Sequence, residues 1–188
     1  MPRLVTDQQL VDRLGMLFRT SGFDGASLTD IAAAAGLQKS SLYHRYPGGK
    51  QQMAAEVAVA VADQFAAQVL APLAGDLPLR ERVEQVGRRL TAFYERGARG
   101  CLLDVLSVGE PGEAAAAALA GAATAWVRAF AAIARASGAD AALATSRAQD
   151  AIASIEGALV LARVTGDRRP FARAIDRLPA ALLGDDPR

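Results

Sequence analysis

The sequence predicts an all-α protein, and three observations carry that expectation. Forty-three of the 188 residues are alanine, the residue that loses no side-chain entropy in a helix. Aromatic residues are only 5%, and no long stretch alternates apolar with polar positions as a half-buried strand does. Helix-starting patterns of Ser, Thr or Asp recur, each followed by apolar residues at helical spacing. With 52% apolar and 22% charged residues, the chain has ample material for a core. Formal charge is +1, and Cys101 is the single cysteine, which excludes an intramolecular disulfide and a four-cysteine zinc site. Neither a metal nor a cofactor is expected. The segment Met1 to Asp7 lacks the apolar stretch of a signal peptide. Residues 114–136 are the most apolar long stretch, but they are mostly alanine and are interrupted by Arg128 and Arg135, too weak for a membrane span. The expectation is a cytoplasmic protein with no membrane partner.

The elements follow in order. Thr6-Asp7-Gln8-Gln9 is a capping box, in which two side chains satisfy each other's backbone donors. Behind it Leu10, Leu14, Leu17 and Phe18 share one helical face, and Ser21-Gly22 stops the helix. Ser27-Leu28-Thr29-Asp30 is a second box, opening a short helix over 28–34. Ala35-Gly36-Leu37 turns the chain, because glycine tolerates positive φ. A second short helix covers 38–44, and Tyr46-Pro47-Gly48-Gly49 breaks it. A long helix then runs over 49–70, ended by Pro72 and Gly75. Asp76-Leu77-Pro78 opens the next, with Val83, Val86, Leu90 and Phe93 as its buried stripe. A short apolar helix over 101–108, an alanine-rich one over 113–137, another over 140–165 and a last one over 167–183 complete the chain, about nine helices in all. The division expected is 1–49 for a three-helix unit and 50–188 for a six-helix unit.

Two short helices joined by a glycine turn, directly after a longer capped helix, describe a helix-turn-helix. Between Ile31 and Ala55 there is no acidic residue, whereas Lys39, His44, Arg45 and Lys50 are present. Such a basic segment suits a phosphate backbone; the plainer reading is a solvated loop on a helical hairpin. Ile31, Ala34, Leu37 and Leu42 are expected to form this unit's core.

The same residues, Leu17-Phe18, Gly22-Phe23, Ser27-Leu28-Thr29-Asp30-Ile31-Ala32, Ala35-Gly36-Leu37, Lys39-Ser40-Ser41-Leu42-Tyr43-His44, Tyr46-Pro47 and Lys50, resemble the DNA-binding domain of the TetR family over residues 6–53. The resemblance implies an all-helical homodimeric regulator, usually a repressor, that binds double-stranded operator DNA and is released by a small molecule. It implies that Lys39, Ser40, Ser41 and Tyr43 lie on the recognition helix and that Tyr43, His44 and Lys50 meet phosphate. Thr29, near a helix N-terminus, suits a phosphate as well, while Ser and Lys side chains can read base edges. Two departures stand out. Gln38 occupies the cap position where serine is frequent, and the interval from Tyr46 to Lys50 is one residue longer than usual. The longer interval, with Gly100-Cys101, resembles a branch containing drug- and flavonoid-responsive repressors.

Other signals point less sharply. His44 is the sole histidine and stands beside Tyr43 and Arg45, so no catalytic triad is expected. Gly48-Gly49-Lys50 lacks the spacing of a nucleotide-binding loop. Cys101 beside Leu102 and Leu103 reads as a small buried hydrophobe rather than a redox sensor. Trp126, Phe130 and Ile133 recur at helical spacing, as a core stripe or as the wall of an effector cavity left open by alanine neighbours. Phe93, Leu102, Leu103 and Leu106 are further candidates for that wall. Glu156, on an apolar helix, reads either as a pocket acid for an effector or as an interface or solvent-facing residue. By the resemblance the last two helices form a dimer bundle, with Ile152, Ile155, Leu159, Ala162, Phe171 and Ile175 at the interface. Two rival readings have other mechanisms: a helical small-molecule-binding protein, and a DNA-binding regulator without ligand control.

Overall fold

The computed structural model describes residues 6–184, and among them lie ten α-helices and no strand. They are α1 (Asp7–Gly25), α2 (Leu28–Ala35), α3 (Lys39–Arg45), α4 (Gly49–Phe65), α5 (Leu79–Phe93), α6 (Leu102–Ser107), α7 (Glu113–Ala136), α8 (Ala141–Thr165), α9 (Arg169–Asp176) and α10 (Leu178–Leu183). Both expected capping boxes are formed, Thr6 with Gln9 and Ser27 with Asp30. Asp140 caps α8 by accepting from the Leu143 amide at 2.8 Å. Gln38 makes no side-chain cap bond; its side chain is longer than those of the preferred caps Ser, Thr, Asp and Asn.

Three helices end differently from expectation. The first runs past Ser21-Gly22 to Gly25, although Gly22 leaves the helical region at φ 71° and ψ 174°. The last one divides at Arg177 into α9 and α10, because Pro179 has no amide to donate and its ring collides with the carbonyl four residues back. The fourth stays α-helical only to Phe65, then continues as a π turn (Ala66–Leu70) and a 3₁₀ turn (Ala71–Ala74) that holds Pro72.

The chain forms two compact units. The first takes the chain to Asp63 together with Leu102–Gly121; the second is Gln64–Cys101 with the chain from Ala122 onward. Thus α6 and the start of α7 are built into the unit that carries the helix-turn-helix, and both α4 and α7 pass from one unit into the other.

In the first unit Leu10, Leu14 and Phe18 of α1 are buried with Ile31, Leu42, Tyr46, Val57, Leu102 and Leu106 in one apolar cluster. Ala32 and Ala35, not Ala34, are the buried alanines of α2, and Leu37 is half-buried against the cluster. A residue one step away on a helix points about 100° off, which is enough to exchange core for surface. Gly36 adopts φ 68° and its amide reaches the Ala32 and Ala33 carbonyls, a left-handed helix end that a side chain would strain. Arg13 of α1 donates to the Ala35 carbonyl at 3.3 Å, so the first helix also fixes this turn.

In the second unit α8 packs on α9 and α10, and α10 packs on α5. The buried face of α8 is Ala144, Ala148, Ala151, Ile155, Ala158, Leu159 and Ala162, its small residues admitting close helix approach. Val83, Val86, Leu90 and Phe93 are all buried, as the stripe predicts. Two helical stretches, Gly49–Ala74 and Glu113–Ala136, are long and apolar enough by length and composition to cross a membrane. For Glu113–Ala136 this differs from the sequence expectation, because alanine raises mean hydropathy without adding large side chains.

Candidate functional site

Helix α3 exposes Lys39, Ser40, Ser41, Tyr43 and His44 and buries only Leu42. Leu42 inserts into the core of the first unit, so the remaining side chains face outward as a set. Thr29 is exposed in the first turn of α2. Arg45 reaches across to α1, where its guanidinium meets the Asp7 carboxylate at 2.8 Å. This bridge ties the C-terminal end of α3 to the start of α1; at an exposed surface it is worth at most about 1 kcal/mol. The sequence shows Arg45 only as one more basic residue, since its acid lies 38 positions earlier.

Lys50, expected to meet phosphate, has partners within the chain. Its ammonium donates to the Ala26 carbonyl at 3.2 Å and to that of Asp24 at 3.5 Å. It also lies 4.4 Å from the centroid of the Phe23 ring. The ammonium therefore closes the open carbonyls at the end of α1 and joins the α1–α2 corner to the start of α4.

The second unit carries an aromatic cluster. Phe65 stands 4.7 Å from Trp126 and 5.3 Å from Phe93 between ring centroids. Trp126 meets Phe130 at 5.9 Å, Phe93 meets Tyr94 at 5.2 Å, and Tyr94 meets Phe171 at 6.1 Å. Edge-on geometries predominate, as ring quadrupoles favour. Trp126 is 1% exposed, and its indole Nε1 has no hydrogen-bond partner among the described residues. A buried indole donor ordinarily finds one. Phe65 and Tyr94 were not singled out from sequence; only the fold brings them to Trp126. The Tyr94 hydroxyl donates to the Cys101 sulfur at 3.4 Å, and Cys101 is buried.

The remaining predicted ligand residues separate. Leu102 and Leu106 lie in the core of the first unit and Leu103 is half-buried beside them in α6, while Phe93, Trp126 and Phe130 belong to the second. Glu156 is half-buried on α8, with both carboxylate oxygens buried. The predicted interface residues need correction. Ile155, Leu159, Ala162 and Phe171 are buried within the single chain at 0%, 4%, 5% and 1% exposure, so they have little surface to offer a partner. Only Ile152 and Ile175 are half-exposed, and Ile175 packs against Gly87 of α5. No group of three or more His, Cys, Asp or Glu able to hold a metal ion occurs among the described residues.

A capped three-helix head with an outward basic recognition helix, joined to an all-helical second unit, defines a helix-turn-helix transcriptional regulator. The comparisons make this specific. Residues 10–57 match the family described as bacterial regulatory proteins, tetR family. Residues 79–177, more than half the chain, match the C-terminal domain described as transcriptional regulator LmrA/YxaF-like. The chain belongs to the TetR family of transcriptional regulators, DNA-binding proteins of this two-unit plan.

Among characterised relatives, the chain is 37% identical over 49 residues to the HTH-type transcriptional regulator LmrA of Bacillus subtilis (strain 168); the match spans 26% of this chain and 26% of the relative's length. The fold resembles a TetR transcriptional regulator from Legionella pneumophila, with TM-score 0.83, 19% identity and coverage of 97% of this chain and 100% of the other. It also resembles the reduced form of NemR from E. coli, with TM-score 0.76, 18% identity and coverage of 95% and 98%. A third likeness is to a cysteine mutant of the regulator CifR in complex with 26 bp operator DNA, with TM-score 0.77, 23% identity and coverage of 96% and 99%.

Proposed function

We propose that the protein is a cytoplasmic repressor that binds a palindromic operator as a homodimer and is released by a small, apolar or aromatic effector. The observation that carries DNA recognition is the single exposed face of α3, with Lys39, Ser40, Ser41, Tyr43 and His44 projecting from a helix anchored by Leu42. Two such heads related by a two-fold axis suit half-sites about 34–36 Å apart. The operator-bound state of CifR, a protein of like fold, supports the same use of this head. Tyr43, His44 and Thr29 serve phosphate, and Lys39, Ser40 and Ser41 serve base edges.

The effector reading rests on the aromatic cluster around Trp126. An orphan indole donor flanked by Phe65 and Phe130, with Phe93 against Phe65, suits an aromatic molecule bearing a hydrogen-bond acceptor. Because α4 and α7 continue from this unit into the DNA-binding unit, displacement of either helix at its end in this unit acts on the rest through the helix itself. The effector must bind the DNA-incompetent arrangement more tightly, or it shifts nothing.

The partner face for a second copy is the outward side of α8. Ala153, Gly157, Leu161 and Val164 recur there at four- and three-residue intervals, all exposed, with Leu161 and Val164 at 50% and 75%. Gly157 has no neighbour within 4 Å of where a Cβ would stand. A mid-helix glycine costs about 1 kcal/mol against alanine, and nothing within the chain uses its lack of a side chain; close approach of a second helix does.

The test is selection of bound duplex from a random library, followed by titration of the selected sequence with aromatic compounds while Trp126 fluorescence is monitored. The expected result is a palindrome whose complex is dissolved by a compound that changes Trp126 emission. Selection of no duplex defeats the regulator reading. A compound that releases DNA from the wild type and from Trp126→Phe with equal potency, without changing emission, removes Trp126 from the effector site.

A further inference from the structure

The outward face of α3 is not uniformly polar. Leu37, Ser40, Ser41, His44 and Arg45 line a shallow groove of about 480 Å³, and its wall is mostly carbon. Ser40, Ser41 and His44 bring to the groove the exposed side of α3, the side that a duplex would meet, while Leu37 enters it from the turn before the helix. Its form follows from the residues. Leu37 is half-buried and shows part of its side chain at the turn. Ser40 and Ser41 are too short to fill the space above it. Arg45 is drawn away toward Asp7 by its 2.8 Å bridge, so its guanidinium does not close the far end.

We infer that this groove reads thymine by its 5-methyl group, with Leu37 as the apolar contact and Ser40 and Ser41 as the small residues that keep the seat open. The inference rests on the DNA-binding reading above. The major-groove edge of a base pair presents donors, acceptors and a single apolar group, the thymine methyl. An apolar seat on a recognition helix therefore has one base-borne group that fits it. With the Arg45 guanidinium engaged by Asp7, His44 is left at the rim and no base-specific donor stands at the floor. Specificity at that position comes from apolar burial, whereas Lys39 reads by hydrogen bonding elsewhere on the helix.

The experiment uses the full-length protein and the duplex obtained by selection. Each thymine of one half-site is replaced in turn by deoxyuridine, which removes the methyl group and keeps every base-pair hydrogen bond. One thymine should show a loss of about four-fold in affinity on replacement, the worth of one buried methyl group, while the other thymines show little. In Ser41→Val the added methyl groups fill the seat, and in Leu37→Ala the floor is removed; in both, the thymine-to-deoxyuridine ratio at that position should fall to about one. Ser41→Val changes an exposed position, so it answers the question even where Leu37→Ala weakens the fold. If no thymine is methyl-sensitive, or if both variants keep the wild-type ratio, the inference is overturned while DNA binding stands. If no duplex is selected at all, it is the DNA-binding reading that fails.

Discussion

The ammonium of Lys50 sits 4.4 Å from the centre of the Phe23 ring and donates to the carbonyl of Ala26 at 3.2 Å. The contact spans more than twenty residues and joins the start of α4 to the corner between α1 and α2. It gives a basic residue of the DNA-binding unit a positioning role, one that its place in the sequence does not reveal.

Replacing Lys50 with methionine keeps an apolar stem over Phe23 and removes the donor. A hydrogen bond from a charged group contributes about 1.5–3 kcal/mol when well shielded, and this partly exposed one less, so a loss of about 1 kcal/mol in unfolding free energy is expected. Operator affinity should fall with an unchanged salt dependence. A phosphate-gripping lysine would instead lower the slope of log affinity against log salt by about one per protomer. Binding isotherms at four or five salt concentrations distinguish the two.

The hydroxyl of Tyr46 is buried and has no hydrogen-bond partner among the described residues. Burial, followed by the nearby Glu56 carboxylate, raises its pKa above the ordinary tyrosine value. Tyr46→Phe removes an unsatisfied polar group without opening a cavity, and should stabilise the protein by about 1 kcal/mol in urea unfolding. The raised pKa also sets a sign. The neutral phenol is favoured in the folded state, so its contribution is present below the unfolded value near pH 10 and is lost as pH rises through the folded value. The wild type should therefore lose stability above about pH 10 more steeply than Tyr46→Phe. Equal alkaline slopes for the two proteins would contradict this.

The two faces of α8 should respond to charge in opposite ways. Ile155 is fully buried within the chain, and Ile155→Glu places an unpaired carboxylate in the core, so loss of the folded state is expected at neutral pH. Leu161→Glu with Val164→Glu alters the outward face and should leave helical circular dichroism intact while yielding a monomer by light scattering. A folded dimer from the double variant would move the interface elsewhere.

Asp167 accepts from the Arg169 amide and side chain at 2.9 to 3.0 Å. These bonds hold its pKa at about 2, below the ordinary aspartate value of 3.8. Carboxylate NMR should show it ionised at pH 3, and Arg169→Ala should return its midpoint toward 3.8. Whatever stability the pair contributes is complete above the unfolded value and lost as pH falls through about 2. Asp167 keeps 34% of its side-chain exposure and Arg169 lies at the surface, so the signature is a displaced titration rather than a large change in stability.

The outcomes at particular residues show which parts of the molecule sequence alone determined. The boxes of Thr6 with Gln9 and Ser27 with Asp30, the cap of Asp140 on Leu143, and the left-handed turn at Gly36 are all present. Each closes between residues within about four positions, so the groups that satisfy it lie within the same few characters of sequence. The stripes Val83, Val86, Leu90 and Trp126, Phe130, Ile133 are buried as their spacing requires, because helical periodicity converts a one-dimensional pattern into a face. The family's motif placed Lys39, Ser40, Ser41, Tyr43 and His44 together for the same reason.

Only the tertiary structure decided what each face meets. Helix α8 has two faces with small or apolar residues. The family resemblance implies a partner for Ile155 and Leu159, whereas the packing of α9 and α10 takes them into the chain's own core and leaves Gly157, Leu161 and Val164 outside. Lys50 bends back to Ala26, Arg45 reaches Asp7, and Phe65 joins Trp126. Those contacts close loops of more than twenty residues, and a loop of that length carries no local signal of where its ends will meet. Their partners are set by the packing of whole helices, in which burial of many apolar side chains outweighs the preference of any one polar group.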